Sequence, residues 1–223
     1  MNLINYISNI GIEGSKLIEE NIDEQYKALK FLNNHLKGQA FIDAVVKNAL
    51  ISYQLTGTGE QYWWEFARFF SKNPSFENFL KSCRYNKRYT NVKLNRLKKI
   101  DFSIEGDMLS LKKRLEEALQ SEGKTINFAI KMYGYAIRIE YKKFIPYPFE
   151  IPIPLDSRIL KLTKILTNQD PMEYWNHIAL RSKVPPLHID SIIWPQLSKD
   201  KSILAKYENL GIPTLDLEIL EKI

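Results

Sequence analysis

Cysteine is almost absent from this sequence, and so are the long apolar runs of membrane proteins. The 223 residues include a single cysteine, Cys83. One thiol cannot form an internal disulfide, and it cannot supply the ligands of a zinc ribbon or an iron–sulfur cluster. No uninterrupted apolar stretch approaches the roughly 20 residues that a transmembrane helix needs. We therefore expect no membrane span, and any chemistry should proceed without metal thiolates.

A targeting pattern is also missing at the start of the chain. The order Met1-Asn2-Leu3-Ile4-Asn5 is not the basic-then-apolar order of a signal peptide. This start predicts an intracellular protein of the cytoplasm or nucleoid.

The composition is that of a globular protein with a basic surface. Hydrophobic residues make up 44% of the chain and aromatic residues 12%, which is ample for a core. Thirty-two basic residues against twenty-six acidic ones give a net charge of +6. This excess favours an anionic partner, with nucleic acid ahead of a membrane surface.

Apolar residues recur at three- and four-residue intervals, which predicts a mostly helical, all-α fold. The clearest case is the apolar run from Ala40 to Ile51. Further helices are predicted at about 23 to 36, 61 to 71, 75 to 83, 92 to 99, 106 to 120, 125 to 143, 157 to 167, 171 to 181, 187 to 197 and 215 to 222.

Four prolines interrupt the pattern between 144 and 155 and predict an extended connector there. This connector is the best candidate for a seam between two helical subdomains. We expect residues 1–223 to form one domain made of both subdomains.

A basic stretch from 84 to 99 contains seven cations, two interleaved tyrosines and no acidic residue. Clustered cations bind DNA by releasing counterions, and tyrosines can pack against sugars or bases. A solvated helix face is the competing interpretation. The predicted DNA contacts are Arg84, Lys87, Arg88, Lys93 and Arg96.

Lys124 follows a glycine and precedes a predicted helix that opens with apolar residues. A helix N-terminus and apolar surroundings both disfavour a charged ammonium, so they favour a free amine able to attack a sugar carbon. Taken alone, Lys124 is better explained as an ordinary surface lysine.

Asp156 stands between the proline connector and the apolar-periodic run that begins at Ile159. Its default role is an N-cap that accepts backbone N–H bonds. The same bonds favour the charged carboxylate, which can stabilise positive charge on a nearby sugar. The two roles are compatible.

Four blocks of sequence together resemble one known family. They are Asn48 to Glu60, Lys124 to Lys131, Ile151 to Arg158, and Pro185 to Trp194. In this order they resemble the archaeal 8-oxoguanine DNA glycosylase/AP lyase family, a branch of the helix-hairpin-helix DNA glycosylase superfamily. The resemblance implies an all-α fold with two helical subdomains, an interdomain cleft and a divergent helix-hairpin-helix motif. The usual glycine-rich hairpin signature is absent before Lys124.

The same resemblance implies the site residues. Lys124 would be the nucleophile that forms a Schiff base with C1′ of the deoxyribose, and Asp156 the carboxylate that assists departure of the base. Phe128 and Trp194 match the stacking pair around a flipped base. Pocket positions that read polar edges match Gln25, Trp63, Lys131 and Asp190.

Each pocket residue also has a plainer interpretation. Phe128 and Trp194 have the spacing of core aromatics, and the cluster that contains Trp63 is expected to pack inward. Lys131 and Asp190 carry opposite charges and can pair with each other or face solvent. His188, a lone histidine after two prolines, is expected to be structural.

The sequence thus predicts a bifunctional 8-oxoguanine DNA glycosylase and β-lyase. We expect it to act as a monomer on double-stranded DNA without a metal or organic cofactor. A glycosylase of the same superfamily with another lesion is the first alternative. A noncatalytic helical DNA-binding protein, in which Lys124 contacts phosphate and Asp156 only caps, is the second.

Overall fold

A computed structural model of the chain describes residues 2–198, 200–216 and 220–221. These residues contain twelve α-helices, one short 3₁₀ helix and no β-strand, which confirms the predicted all-α fold. Within the same ranges, no helix is long and apolar enough to cross a membrane. The α-helices are α1 (Leu3–Asn21), α2 (Glu24–Asn33), α3 (Gly38–Ile51), α4 (Gly59–Phe70), α5 (Phe76–Ser82), α6 (Thr90–Lys98), α7 (Met108–Leu119), α8 (Lys124–Tyr141), α9 (Ser157–Leu166), α10 (Pro171–Ser182), α11 (Pro186–Ile193) and α12 (Lys201–Asn209), and the 3₁₀ helix is Trp194–Ser198.

The chain divides into two compact units. The continuous unit, Glu24–Ile145, contains α2 to α8. The discontinuous unit, Met1–Asp23 with Pro146–Ile223, contains α1, α9 to α12 and the 3₁₀ helix. The division after Ile145 falls within the proline connector at 144 to 155, which is non-helical, as the prolines predict.

In the continuous unit, α8 is the central helix. It packs against α2, α3 and α7, and most of its residues are buried. The apolar side chains of Ile126, Ala129 and Ile130 are fully covered, and so are Phe41 and Val45 of the neighbouring α3. Burial of this kind contributes about 25 cal/mol for each Å² of apolar surface removed from water. The N-terminus of α8 is therefore presented by a firmly anchored element.

The discontinuous unit has its own apolar core, in which α1 packs against α10 and α11. Two buried tyrosines tie its polar atoms together. The hydroxyl of Tyr207 donates to the carbonyl oxygen of Ile192 at 2.9 Å, and the side-chain amide of Gln196 donates to the hydroxyl of Tyr6 at 2.8 Å. The first bond joins α12 to α11, and the second joins the 3₁₀ helix to α1.

Helices α1 and α12 were not predicted from the sequence. Glycines at 11 and 14 lower the helix propensity of α1, and Gly11 interrupts the helix with a φ of 64°. Tertiary packing of Ile7 and Ile18 outweighs that local cost. In α12, Asp200 provides the cap by accepting a hydrogen bond from the backbone N–H of Ser202 at 2.8 Å. The helix predicted at about 215 to 222 lies largely outside the described residues.

Candidate active site

Lys124 is the first residue of α8. The preceding Gly123 has φ 104° and ψ −158°, a conformation that residues with a Cβ rarely adopt, and no side chain caps the helix there. The first backbone N–H groups of α8 therefore leave the positive end of the helix dipole beside the lysine.

The side chain of Lys124 is exposed. We expected apolar surroundings to desolvate its nitrogen, and in this respect the prediction is wrong. Residues 121 to 124, which lead into α8, are all exposed as well.

Phe128 and Lys131 lie on the same face of α8 as Lys124, because residues four and seven positions apart stack on one side of a helix. Phe128 is half-buried, and its ring packs edge-on against Trp63 at a centroid distance of 6.1 Å. Lys131 is buried, with its Nζ 5.8 Å from the centre of the Tyr135 ring. The predicted nucleophile, one stacking residue and one polar pocket residue thus share a helix face.

Trp63 is almost fully buried and packs edge-on against Phe66 as well as Phe128. Its neighbour Trp64 is half-buried and donates its indole N–H to Glu24 at 3.1 Å. Between the two indoles, Trp63 is the one that supports Phe128 from the core. Gln25, at the start of α2, is also buried.

Asp156 is the N-cap of α9, as the sequence predicts. Its Oδ1 accepts hydrogen bonds from the backbone N–H groups of Arg158 at 3.0 Å and Ile159 at 2.9 Å. Its backbone N–H donates to Pro154 at 2.8 Å, so the proline segment holds the approach to the helix. These contacts fix the position of the carboxylate.

The second oxygen of Asp156 is held by a side chain that lies 38 residues later in the sequence. The indole N–H of Trp194 donates to Oδ2 at 2.8 Å. The guanidinium carbon of Arg158 lies 4.5 Å from the centre of the same indole ring, within the range of a cation–π contact. One predicted stacking residue is thus bonded directly to the predicted catalytic carboxylate.

Asp190 and His188 are both buried in α11. The His188 ring accepts a hydrogen bond at Nε2 from the backbone N–H of Tyr147 at 3.2 Å, and its Nδ1 lies 2.9 Å from the hydroxyl of Ser15. An accepting Nε2 assigns the proton to Nδ1 in a neutral ring. These bonds join α1, α11 and the connector, which is the structural role expected of this histidine.

The basic stretch at 84 to 99 is only partly exposed. Arg84, Lys87 and Arg88 are exposed, whereas Arg96 is half-buried. Tyr89 is the N-cap residue of α6, and its backbone is left-handed, with a φ of 59°. Its side chain is 60% exposed. The cations before α6 together with Tyr89 form a surface of the kind that binds a phosphate backbone.

Lys93 departs from the predicted set of DNA contacts. Its side chain is fully buried, and its ammonium donates to the carbonyl oxygen of Tyr53 at 2.9 Å and to the side-chain oxygen of Asn86. Burial lowers the pKa of Lys93 from the usual 10.5 to about 8. Since the ammonium is committed inside the protein, it is not offered to phosphate, and the prediction for Lys93 is corrected.

The predicted site residues therefore fall into two groups, one in each unit. The continuous unit carries Gln25, Trp63, Lys124, Phe128 and Lys131, and the discontinuous unit carries Asp156, Asp190 and Trp194. Across the described residues, no three side chains of His, Cys, Asp and Glu gather into a group that could hold a metal ion.

Sequence reasoning missed the part played by Arg158. The residue was noted only as the end of the proline-braced block. Its spacing two residues after the capping Asp156 places it in the first turn of α9, but only tertiary structure brings the guanidinium over Trp194.

Comparison with known proteins gives a consistent family. The model of the family described as AGOG, N-glycosylase/DNA lyase, matches residues 4–214. An N-glycosylase/DNA lyase of Methanococcus maripaludis is 40% identical over 89% of this chain and 87% of its own. One of Thermococcus kodakarensis is 38% identical over 93% of this chain and 88% of its own.

A solved structure has the same fold. The 8-oxoguanine DNA glycosylase Pa-AGOG from Pyrobaculum aerophilum, crystallised in complex with 8-oxoguanosine, superposes with a TM-score of 0.83. It is 26% identical in sequence, and the match covers 99% of this chain and 93% of that one. The predicted enzyme class is confirmed, and the noncatalytic alternative is excluded. This chain belongs to the AGOG family of N-glycosylase/DNA lyases.

Proposed function

We propose that this enzyme excises 8-oxoguanine from double-stranded DNA through a Schiff base on Lys124 and then cleaves the abasic strand by β-elimination. The observation that carries the proposal is the carboxylate of Asp156, which is fixed as a helix cap and bonded to the indole of Trp194. A family of glycosylase/lyases and a relative that binds 8-oxoguanosine support the same chemistry.

Lys124 is the nucleophile of the first step. The lone pair of its neutral amine forms a bond to C1′ as the bond from C1′ to N9 of the base breaks. The electron pair of that bond leaves with the base, which takes up a proton. Lys124 is the first residue of α8, so the helix fixes where its amine can reach.

Asp156 supports the same step electrostatically. Positive charge develops on the sugar as the base departs, and a carboxylate already held in place stabilises that charge without reorganisation. Its cap hydrogen bonds occupy both lone pairs of Oδ1 and hold the group in place. We therefore assign Asp156 to charge stabilisation.

The lyase step follows from the covalent intermediate. Loss of a proton from nitrogen and opening of the sugar ring convert the C1′ adduct to an imine. The imine acidifies the C2′ hydrogens, so that removal of one of them expels the 3′ phosphate. Hydrolysis of the imine then returns the free lysine. All of these steps use groups of the protein, the substrate and water.

The flipped base is held by aromatic faces and read at its edges. We assign Phe128, which Trp63 supports from the core, and Trp194 to stacking on the base, as the resemblance to the family implies. Oxidation at C8 gives guanine an N7–H donor and a C8 carbonyl acceptor. The buried polar residues Gln25, Lys131 and Asp190 supply the groups that read these edges.

We assign the DNA backbone to the exposed cations Arg84, Lys87 and Arg88, with Tyr89 beside them and Arg96 at the margin. Guanidinium and ammonium groups on such a surface release counterions when phosphate binds. One such surface serves one duplex, so the enzyme is proposed to act as a monomer.

Borohydride trapping tests the proposal. The wild-type enzyme should form a covalent adduct with a duplex that contains 8-oxoguanine, and Lys124→Ala should form none. Lys113→Ala removes an exposed lysine of the same unit and should leave the adduct unchanged. Absence of an adduct with wild-type enzyme, or its survival in Lys124→Ala, overturns the assignment.

A panel of lesions tests the substrate. Duplexes with uracil, a thymine mismatch or an alkylated purine carry bases without the N7–H and C8 carbonyl pair. Base release should be fastest from 8-oxoguanine. Faster release of another base would overturn 8-oxoguanine as the substrate and leave the lysine chemistry in place.

A further inference from the structure

Three hydrogen bonds leave the carboxylate of Asp156 with little freedom. Two backbone N–H groups reach Oδ1, and the indole N–H of Trp194 reaches Oδ2. A carboxylate offers about four lone-pair sites, so these donors occupy all but one of them. The remaining lone pair lies on the oxygen that Trp194 holds.

The hydrogen bond from Trp194 to Oδ2 also sets where the carboxylate lies relative to the indole ring. The indole N–H lies in the plane of the ring and at its edge, so the carboxylate sits beside the edge of the indole. A base stacked on the face of that ring would lie one atomic layer away, at about 3.5–4 Å. Its glycosidic bond would then be next to Oδ2.

Arg158 restrains the indole. Its guanidinium carbon is 4.5 Å from the ring centre, while its backbone N–H donates to Oδ1 of Asp156. One residue thus contacts the carboxylate through its main chain and the indole through its side chain. A planar guanidinium stacks on an aromatic face more effectively than an ammonium does.

We propose that Trp194 and Arg158 are positioning residues for Asp156. Trp194 orients Oδ2 through its N–H while its ring face receives the base, and Arg158 holds the plane of the indole. The inference rests on the proposed function, because it gives Asp156 the charge-stabilising part of base release. It adds that the indole that stacks on the base also places the carboxylate.

Trp194→Phe tests the first half, because phenylalanine keeps an aromatic face and lacks the N–H. In single-turnover base release from an 8-oxoguanine duplex, the maximal rate should fall about tenfold, the loss expected for a hydrogen bond to a charged group. The enzyme concentration at half-maximal rate should change less than about threefold.

Trp175→Phe is the matched control. The indole of Trp175 also donates a 2.8 Å hydrogen bond, to the hydroxyl of Thr163, in the buried core of the same unit. Its loss should lower stability and leave the maximal rate unchanged. A Trp194→Phe enzyme with the wild-type maximal rate would overturn the positioning role.

Arg158→Lys tests whether the guanidinium holds the indole, because it keeps the backbone N–H that donates to Asp156. It should slow base release about threefold, and the double variant with Trp194→Phe should be no slower than Trp194→Phe alone within about twofold. Effects that multiply would show that Arg158 does not act through the indole.

A duplex with a preformed abasic site separates the possible failures. It has no base to release, so Trp194→Phe should be trapped on it as efficiently as wild type. If trapping is lost because the variant does not fold, Arg158→Lys alone decides, and an unchanged maximal rate overturns the proposal. If wild-type enzyme is not trapped on either duplex, the proposed function itself fails.

Discussion

The ammonium nitrogen of Lys93 lies 2.9 Å from the carbonyl oxygen of Tyr53 and 4.6 Å from the centre of the Tyr53 ring. The same ammonium donates to Asn86, whose side-chain amide donates in turn to the carbonyl oxygen of Ile51 at 3.1 Å. This cation therefore joins α6 to the segment that follows α3. Its hydrogen bonds hold these two segments together inside the continuous unit.

DNA binding should distinguish Lys93 from its exposed neighbour Arg88. Arg88→Ala should weaken binding and reduce the salt dependence, log Kd against log salt, by about one unit, as loss of one phosphate contact requires. Lys93→Met should leave that slope unchanged because its ammonium faces inward. The measurement is fluorescence anisotropy with an undamaged duplex at several salt concentrations. An equal change of slope for both variants would restore Lys93 to the DNA surface.

Lys93 should also give the protein a characteristic dependence of stability on pH. Burial lowers its pKa to about 8 in the folded protein, while the unfolded chain keeps the usual value of 10.5. Between these values the unfolded state binds more protons, so the free energy of unfolding rises with pH. Below pH 8 both states are protonated and this contribution is constant.

Comparison with Lys93→Met isolates that contribution. The difference in free energy of unfolding between the two proteins should move in favour of wild type from pH 8 to 10, by at most about 3 kcal/mol. Burial raises the pKa of Cys83 to about 12, which acts in the opposite direction above pH 9, but that thiol is present in both proteins. Denaturant unfolding at each pH gives the measurement, and a constant difference would contradict the prediction.

The role of Asp156 was predicted from the sequence, and the burial of Lys93 was not. A carboxylate between a proline segment and an apolar helix has one simple local use, and Asp156 caps α9 as expected. Lys93 stands among six other cations, and composition treats them alike. Its spacing from buried Leu97, four residues later, was the available sign that it faces inward.

The contacts of Trp194 were beyond the sequence for a different reason. Its bond to Asp156 joins residues far apart in the chain, and no local rule fixes such a pair. The resemblance to a family predicted that Trp194 belongs to the site. Its hydrogen-bond partner is visible only in the structure, where the 3₁₀ helix packs near the start of α9. Helix positions were therefore predictable where periodicity is strong, and side-chain partners were not.

Asp156→Asn should separate binding from chemistry. Asparagine caps helices about as well as aspartate, so the fold and DNA affinity should be retained. It lacks the negative charge that stabilises the sugar, so single-turnover base release should be nearly abolished, by about a hundredfold or more. Asp170→Asn is the control, because Asp170 caps α10 of the same unit with equivalent bonds to Met172 and Glu173. Unimpaired base release in Asp156→Asn would refute the assigned role.

Gly123→Ala should misplace the nucleophile without removing it. A Cβ at this position meets no atom within 4 Å, so the cost comes from the backbone, whose φ of 104° suits glycine. We expect a loss of about 1–3 kcal/mol in the free energy of unfolding, relieved in part by a shift at the start of α8. Because small displacements of a reacting group are costly, borohydride trapping on an abasic duplex should slow about tenfold or more.

Gly38→Ala separates misplacement from simple loss of stability. Gly38 begins α3 with a φ of 60°, and a Cβ there also meets no atom within 4 Å, so its substitution imposes a similar strain away from Lys124. It should cost about 1–2 kcal/mol of stability and leave the trapping rate unchanged. If both variants slow trapping equally, the effect is one of stability alone. If only Gly123→Ala slows it, the glycine conformation that starts α8 sets the reach of the lysine.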